Sequence, residues 1–208
     1  MVLLRINKLR RWELALLVGT ALAALWCGAL GAEQDALAEK VVRLHVVANS
    51  DSQADQALKL KVRDAVLAEA TPYLTGLNRQ EALEALEDRL PAIARAAAEV
   101  VKQEGYSYPV TASLGEETFP TKRYDDFALP GGGYTALRVE IGTGAGHNWW
   151  CVVFPPLCMS SVEEVAAGSW GESGLTAEDV ALITGESEGY VVKFKAMELW
   201  ESFKAWLG

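Results

Sequence analysis

The spacing of apolar residues shifts repeatedly along this chain, and each shift marks an element. Leu14 to Ala32 is uncharged and mostly apolar, and Glu33–Lys40 is a polar, Ala-rich spacer. In Val41–Val47 the pattern alternates, with Val42, Leu44 and Val46 on one face and Arg43 and His45 on the other, which predicts a strand. Ala48–Ser52 is a turn that can also start a helix, with Ser50, Asp51 or Ser52 available as the cap. From Gln53 the residues Ala54, Leu58, Val62, Ala65 and Val66 recur at helical spacing, so 53–70 is an amphipathic helix that Thr71-Pro72 ends. Asn78 with Glu81 forms a second capping signal, with Leu77 and Ala82 placed as a staple. Leu83, Leu86, Leu90, Ile93, Ala97 and Val100 then follow three and four apart straight through Pro91, which predicts one long, kinked helix closed by Gly105. The two helices are expected to cover one side of a sheet.

After Gly105 the period drops to two. Tyr106, Tyr108, Val110, Ala112 and Leu114 predict a half-buried strand, and Pro109 favours a sheet edge for it. Residues 118–130 read as a long loop carrying aromatic side chains. Leu137, Val139 and Ile141 alternate with Arg138 and Glu140 in a further strand, Tyr134–Ile141. Trp149–Phe154 is apolar on both faces and too short for an independent helix, so it is expected to be the central strand. Gly142–Gly146 joins these last two strands, and a hairpin turn is the reading it supports. A phosphate-cradling loop would instead have to open a helix. Residues 159–188 read as a flexible connection with short helices, one capped by Thr176 and Asp179. Residues 189–208 read as a short strand, Tyr190–Phe194, and an amphipathic helix bearing Phe194, Met197, Trp200, Phe203 and Leu207.

Composition narrows the class. With 208 residues, half of them hydrophobic, the chain suits one domain with small additions. Its formal charge is -9, although Arg5, Lys8, Arg10 and Arg11 crowd the first thirteen residues, so the remainder is more acidic still. Such a body is repelled by phosphate, which excludes nucleic acid as a partner. The basic residues 1–13 followed by the apolar run 14–32 form a targeting pattern, either a cleaved signal peptide or a membrane anchor. As a helix the run spans roughly 28 Å, close to the hydrocarbon thickness of a bilayer. Residues 41–158 then form an extracytoplasmic domain.

The candidate chemistry is sparse. Cys151 and Cys158 can close a small loop as a disulfide, remain as inert thiols, or supply a nucleophile at Cys151. A nucleophile needs an imidazole. His147 would sit some 13 Å from Cys151 at about 3.3 Å per strand residue, leaving His45 as the base and Asp51 or Asn148 to orient it. Asn49, Ser50 and Asp51 suit a helix cap better than a catalytic acid. No metal-ligand spacing, cofactor motif or small-molecule site is evident, and no catalytic residues are assigned.

Val42–Ser52, Asp55–Ala65, Phe119-Pro-Thr-Lys122 and Asn148–Cys158 together resemble stage II sporulation protein R of endospore-forming bacteria, four long segments in the right order. The resemblance implies an exported signalling protein, sent from forespore to the space between the forespore and mother-cell membranes. There it would activate a membrane-embedded, aspartic-type protease that processes the sigma-E precursor. It implies no enzyme and no cofactor in this chain. The expected fold is α+β, a mainly antiparallel sheet packed against amphipathic helices after an N-terminal signal or membrane segment. Partner-binding candidates are His45, Asn49, Ser50 and Asp51 at the strand-to-helix turn, Tyr124 and Phe127 in the aromatic loop, and Asn148, Trp149 and Trp150. The competing reading is a secreted Cys/His hydrolase or cell-wall-modifying enzyme.

Overall fold

The computed structural model describes residues 11–124, 127–158 and 174–185, with 195, 197 and 199 near the C-terminus. The basic residues 1–10, most of the connection 159–188 and the expected strand Tyr190–Phe194 lie outside the described residues. Of the expected C-terminal helix only Lys195, Met197 and Leu199 are described; they are helical, with Met197 buried.

Local signals fix the helices. In α2 (Gln53–Ala70) the cap is Ser52, whose side chain accepts from the Asp55 N–H. In α3 (Arg79–Gln103) Asn78 and Glu81 make both bonds of a capping box, and the helix runs through Pro91 as one element. Leu58, Val62 and Val66 from α2 and Ala82, Leu86, Ile93 and Ala97 from α3 are buried in one cluster. Each fully buried Val, Leu or Ile side chain contributes about 1.5–3 kcal/mol, so these faces dominate helix stability.

The helices cover one face of a four-stranded sheet of order β2-β5-β1-β6, formed by β1 (Val42–Val47), β2 (Val110–Phe119), β5 (Gly132–Ile141) and β6 (Asn148–Phe154). Within the expected aromatic loop, β3 (Lys122–Arg123) and β4 (Ala128–Leu129) make a small separate pair. The sheet is mixed rather than mainly antiparallel: β1 pairs in parallel with β5 at its centre, and antiparallel with β6. β2 lies at an edge, antiparallel to β5, as Pro109 suggested.

Two expectations fail together. Trp149–Phe154 is not the central strand but the other edge, and Gly142–Gly146 is not a hairpin turn, because β1 lies between β5 and β6. The physical reason for the first error is that β6 is buried by side chains rather than by a further strand. Val153 enters the helix-side core and Val152 the opposite one. On its outer edge the Val152 N–H donates to Cys158 Sγ at 3.2 Å, and Tyr124 donates its hydroxyl proton to the Trp150 carbonyl at 2.9 Å.

The glycines of the 142–146 segment serve a close crossing. This arch passes over the end of β1, where the Ala145 and Gly146 N–H groups donate to the Asn49 and Ala48 carbonyls. A Cβ on Gly146 would meet the Ser50 carbonyl oxygen at 2.3 Å, and Gly142 has φ +65 with the Asn49 side chain against it.

The face away from α2 and α3 is half covered. The C-terminal turns of α1 (Arg11–Ala38) bring Gln34, Leu37 and Ala38 onto it beside Phe119, Phe127, Leu129, Tyr134 and Val152, with Leu182 and Ile183 of α4 (Ala177–Thr184). The earlier part of α1 is different, with Leu14, Leu16, Leu22 and Leu25 all exposed. Among the described residues no helix is long and apolar enough to cross a membrane.

Candidate functional site

Alternation along β1 puts Arg43 and His45 on the half-covered face, and burial then separates them. Arg43 is wholly buried, its guanidinium 4.2 Å from the centre of the Phe119 ring. It donates through Nη2 to the Tyr124 hydroxyl at 3.1 Å, which in turn donates to the Trp150 carbonyl. Burial raises the Tyr124 phenol above its ordinary value, although Arg43 pulls the other way.

Two residues on, His45 lies where the covering layer ends. Its Nδ1 meets the Glu117 carboxylate at 2.5 Å and its Nε2 meets Asn148 Oδ1 at 2.9 Å. Trp150, its partner across the β1–β6 ladder, brings its ring centroid to 6.0 Å. Arg138 bridges Glu117 at 3.2 Å and Glu140 at 2.8 Å, and these carboxylates, Glu140 foremost, hold its guanidinium more firmly protonated. Lys122 places its ammonium 5.6 Å from the Trp150 ring. Lys122, Arg123, Tyr124, Asn148, Trp149 and Trp150 line a cavity of about 300 Å³ beside this cluster. The result is a polar and aromatic surface on rigid strands, with a shallow basic pocket on its flank.

The turn residues form a second cluster at the same end of β1. Asn49 and Ser50 hold the buried Asp55 carboxylate, the Ser50 hydroxyl donating at 2.5 Å and the Asn49 amide at 3.0 Å. The Ser50 and Asn49 bonds lower the Asp55 carboxyl below its usual range against the effect of burial. Asp51 accepts from the His147 backbone N–H at 2.6 Å and pairs with the His147 ring. Lys59, buried and lowered by that burial, donates to the His147 carbonyl at 2.9 Å. Neither Asn49 nor Ser50 is spent on capping α2, since Ser52 does that.

Of the residues the sequence singled out, His45, Asn148 and Trp150 meet on one surface, with Tyr124 half-buried at its border. Phe127 does not join them as a surface group; it is buried, its ring stacked on Tyr124 at 4.4 Å. Trp149 turns to the helix side, where Arg63 lies over its ring at 4.5 Å. Asn49, Ser50 and Asp51 brace the arch.

The Cys151–His45 pairing is not formed. Cys151 stands opposite Leu44 in the ladder and enters the helix-side core, while His45 faces the other way. Cys151 is joined to Cys158. Both ring nitrogens of His45 are engaged by other side chains, Glu117 and Asn148. Among the described residues no group of three or more His, Cys, Asp or Glu side chains could hold a metal ion.

Sequence reasoning missed Arg43, Glu117, Lys122 and Arg138. Arg43 and Arg138 carried a signal: each is a charge inside an otherwise apolar alternation, a position that demands a partner. Glu117 could be assigned only with the register that sets Thr118 against Gly133 and Ser113 against Arg138.

The chain is 40% identical over 121 residues to stage II sporulation protein R of Bacillus subtilis (strain 168), a stretch covering 58% of this chain and 54% of that protein. The chain thus spans about half the length of the curated relative it matches. No solved structure matches it. The family model for stage II sporulation protein R matches residues 38–164, from the end of α1 past the Cys151–Cys158 loop and so through every strand of the sheet. This chain belongs to the stage II sporulation protein R family.

Proposed function

We propose that this protein is an exported sporulation signal, passed from forespore to mother cell, that activates a membrane-embedded aspartic-type protease by docking through the His45–Trp150 surface. Family membership supports a role in sporulation. The exported location rests on the basic-then-apolar order of residues 1–32 and on the exposed leucines of α1.

One observation carries the docking surface: where the cover of α1, β3–β4 and α4 ends, exposed Asn148 and half-buried Trp150 gather beside the cavity that Lys122 lines, over the buried His45 that holds Asn148. Aromatic and basic side chains on rigid strands are the usual source of binding energy. Activation requires that this surface bind the active protease better than the inactive one. Moving that equilibrium from 1:99 to 99:1 takes about 5.5 kcal/mol, within reach of one Trp and two or three polar anchors.

The test is reconstitution in a non-sporulating host with the protease and the sigma-E precursor, followed by immunoblot. Cleavage should require the exported chain, should be lost in Trp150→Ala and Lys122→Glu, and should persist in Cys151→Ser at matched protein level. Cleavage that survives both surface changes would move the docking surface elsewhere. Loss in Cys151→Ser with normal fold would revive thiol chemistry.

A further inference from the structure

Between β3 and the edge strand β6 lies the cavity of about 300 Å³ whose walls are Lys122, Arg123, Tyr124, Asn148, Trp149 and Trp150. Its size is at the lower end for ligand pockets, with room for one side chain rather than a cofactor. What it can hold is decided by the polar groups its walls still have to offer. The Tyr124 hydroxyl is spent, since it accepts from Arg43 and donates to the Trp150 carbonyl. The Asn148 side-chain oxygen is spent on His45 Nε2 at 2.9 Å, which leaves the amide N–H groups as what Asn148 presents. Lys122 holds its ammonium 5.6 Å from the Trp150 ring, and among the described residues no carboxylate pairs with it. Arg123, whatever else it holds, has donors only. Every polar side-chain group left over in these walls is thus an N–H donor, beside the indole of Trp150.

A group that matches such walls accepts hydrogen bonds, carries negative charge and is flat enough to lie along an indole. We propose that the cavity receives the carboxylate of one aspartate or glutamate side chain of the protein partner, an inference that rests on the docking reading above and names the chemistry of its contact.

Charge complementarity selects this occupant. The chain as a whole stands at -9, so a surface dense in phosphate, such as an anionic membrane, is repelled by it. For a single carboxylate that repulsion fades beyond about 8 Å at physiological salt, whereas contact inside the cavity brings it against two cations in walls that carry no acid. Bonds from charged donors to a carboxylate are the strong ones. A sugar is a poorer match, because its hydroxyls donate as well as accept and the walls have no free side-chain acceptor for them.

The site is tested by NMR on the full chain in detergent micelles, with isotope-labelled asparagine and tryptophan. N-acetylglutamate amide should shift the Asn148 side-chain amide and Trp150 indole signals saturably, and N-acetylglutamine amide, its uncharged isostere, should not. Lys122→Met should weaken this binding about tenfold or more, and Lys122→Arg should recover part of it. If Lys122→Met disturbs the fold, added salt serves instead and should weaken glutamate binding to the wild type. In the reconstituted host, Lys122→Met should lower precursor cleavage and Lys122→Arg should restore part of it. No saturable shift, equal shifts from the glutamine analogue, or tighter binding of inorganic phosphate would overturn the proposal. So would binding that emerges only in Asp125→Asn with Asp126→Asn, since the chain's own carboxylates would then be the occupant. The NMR assay contains no protease, so its failure strikes the carboxylate site alone, whereas cleavage that survives Trp150→Ala strikes the docking reading.

Discussion

Asp55 is the anchor of the turn that follows β1, and its contribution can be isolated with one atom's change. Asp55→Asn keeps the shape of the side chain and removes its charge. The carboxylate accepts from Ser50 and Asn49 at 2.5 and 3.0 Å. A bond to a charged acceptor is worth about 1.5–3 kcal/mol against about 0.5–1.5 for a neutral one, so losing the charge under two bonds costs about 2 kcal/mol. The pH dependence separates this from a packing defect. Because the folded-state carboxyl is lowered from its ordinary 3.8, the stabilisation is complete above 3.8 and is lost as pH falls through the folded value. Urea unfolding followed by tryptophan fluorescence should show a gap of about 2 kcal/mol between wild type and Asp55→Asn at pH 7, closing in acid as the wild-type carboxyl takes up its proton. A gap that stays constant down to full protonation, or no gap at pH 7, would refute the reasoning.

Three further outcomes follow from the same geometry. Reducing the Cys151–Cys158 bond, or replacing both by serine, opens a loop with a sequence separation of 7. On the loop-entropy relation that lowers unfolding stability by about 2.5 kcal/mol, measurable as a shift in urea midpoint at constant slope. Gly146→Ala forces a methyl against the Ser50 carbonyl and should cost about 1–3 kcal/mol or more, whereas Gly133→Ala, with open space around it, should change thermal unfolding little. Tyr134 is pushed up to about 12 by burial. The unfolded chain ionises near 10, so this contribution is intact below 10 and is lost as pH rises toward 12. In a spectrophotometric titration Tyr134 should ionise with unfolding, not before it.

Sequence periodicity carried the helices because their signals are local. Asn78 with Glu81, and the apolar stripes of 53–70 and 83–100, need no knowledge of a neighbour. The alternation in Val41–Val47 likewise separated Val42, Leu44 and Val46 from Arg43 and His45 correctly. Strand order was not legible, since it depends on pairings between distant residues. A strand buried by side chains at an edge and one buried between strands have the same apolar run, which is why Trp149–Phe154 was placed at the centre. Gly142–Gly146 misled for a related reason: glycines serve a close crossing of backbones as well as a tight turn. The proposed docking surface was half visible. His45, Asn148 and Trp150 stood out by residue type, but Glu117, Arg138 and Lys122 joined them only through register, and Phe127 was withdrawn by packing.

The placement of β1 between β5 and β6 has a bearing on when the domain can form at all. β1 emerges early, yet its two partners begin at Gly132 and end at Phe154, so no neighbour exists for it until most of the chain has been made. At synthesis rates of about 5–20 residues per second, the delay between Val42 and Phe154 is about 5–20 s. During that interval the leucine-rich stretch of α1 protrudes from a chain with no finished sheet to retract onto. For the exported signal proposed above, the sheet is then still unformed while a translocation channel, which accepts extended chains, engages the N-terminal run. The strand order thus acts as a timer, holding folding back until the far end of the sheet has arrived.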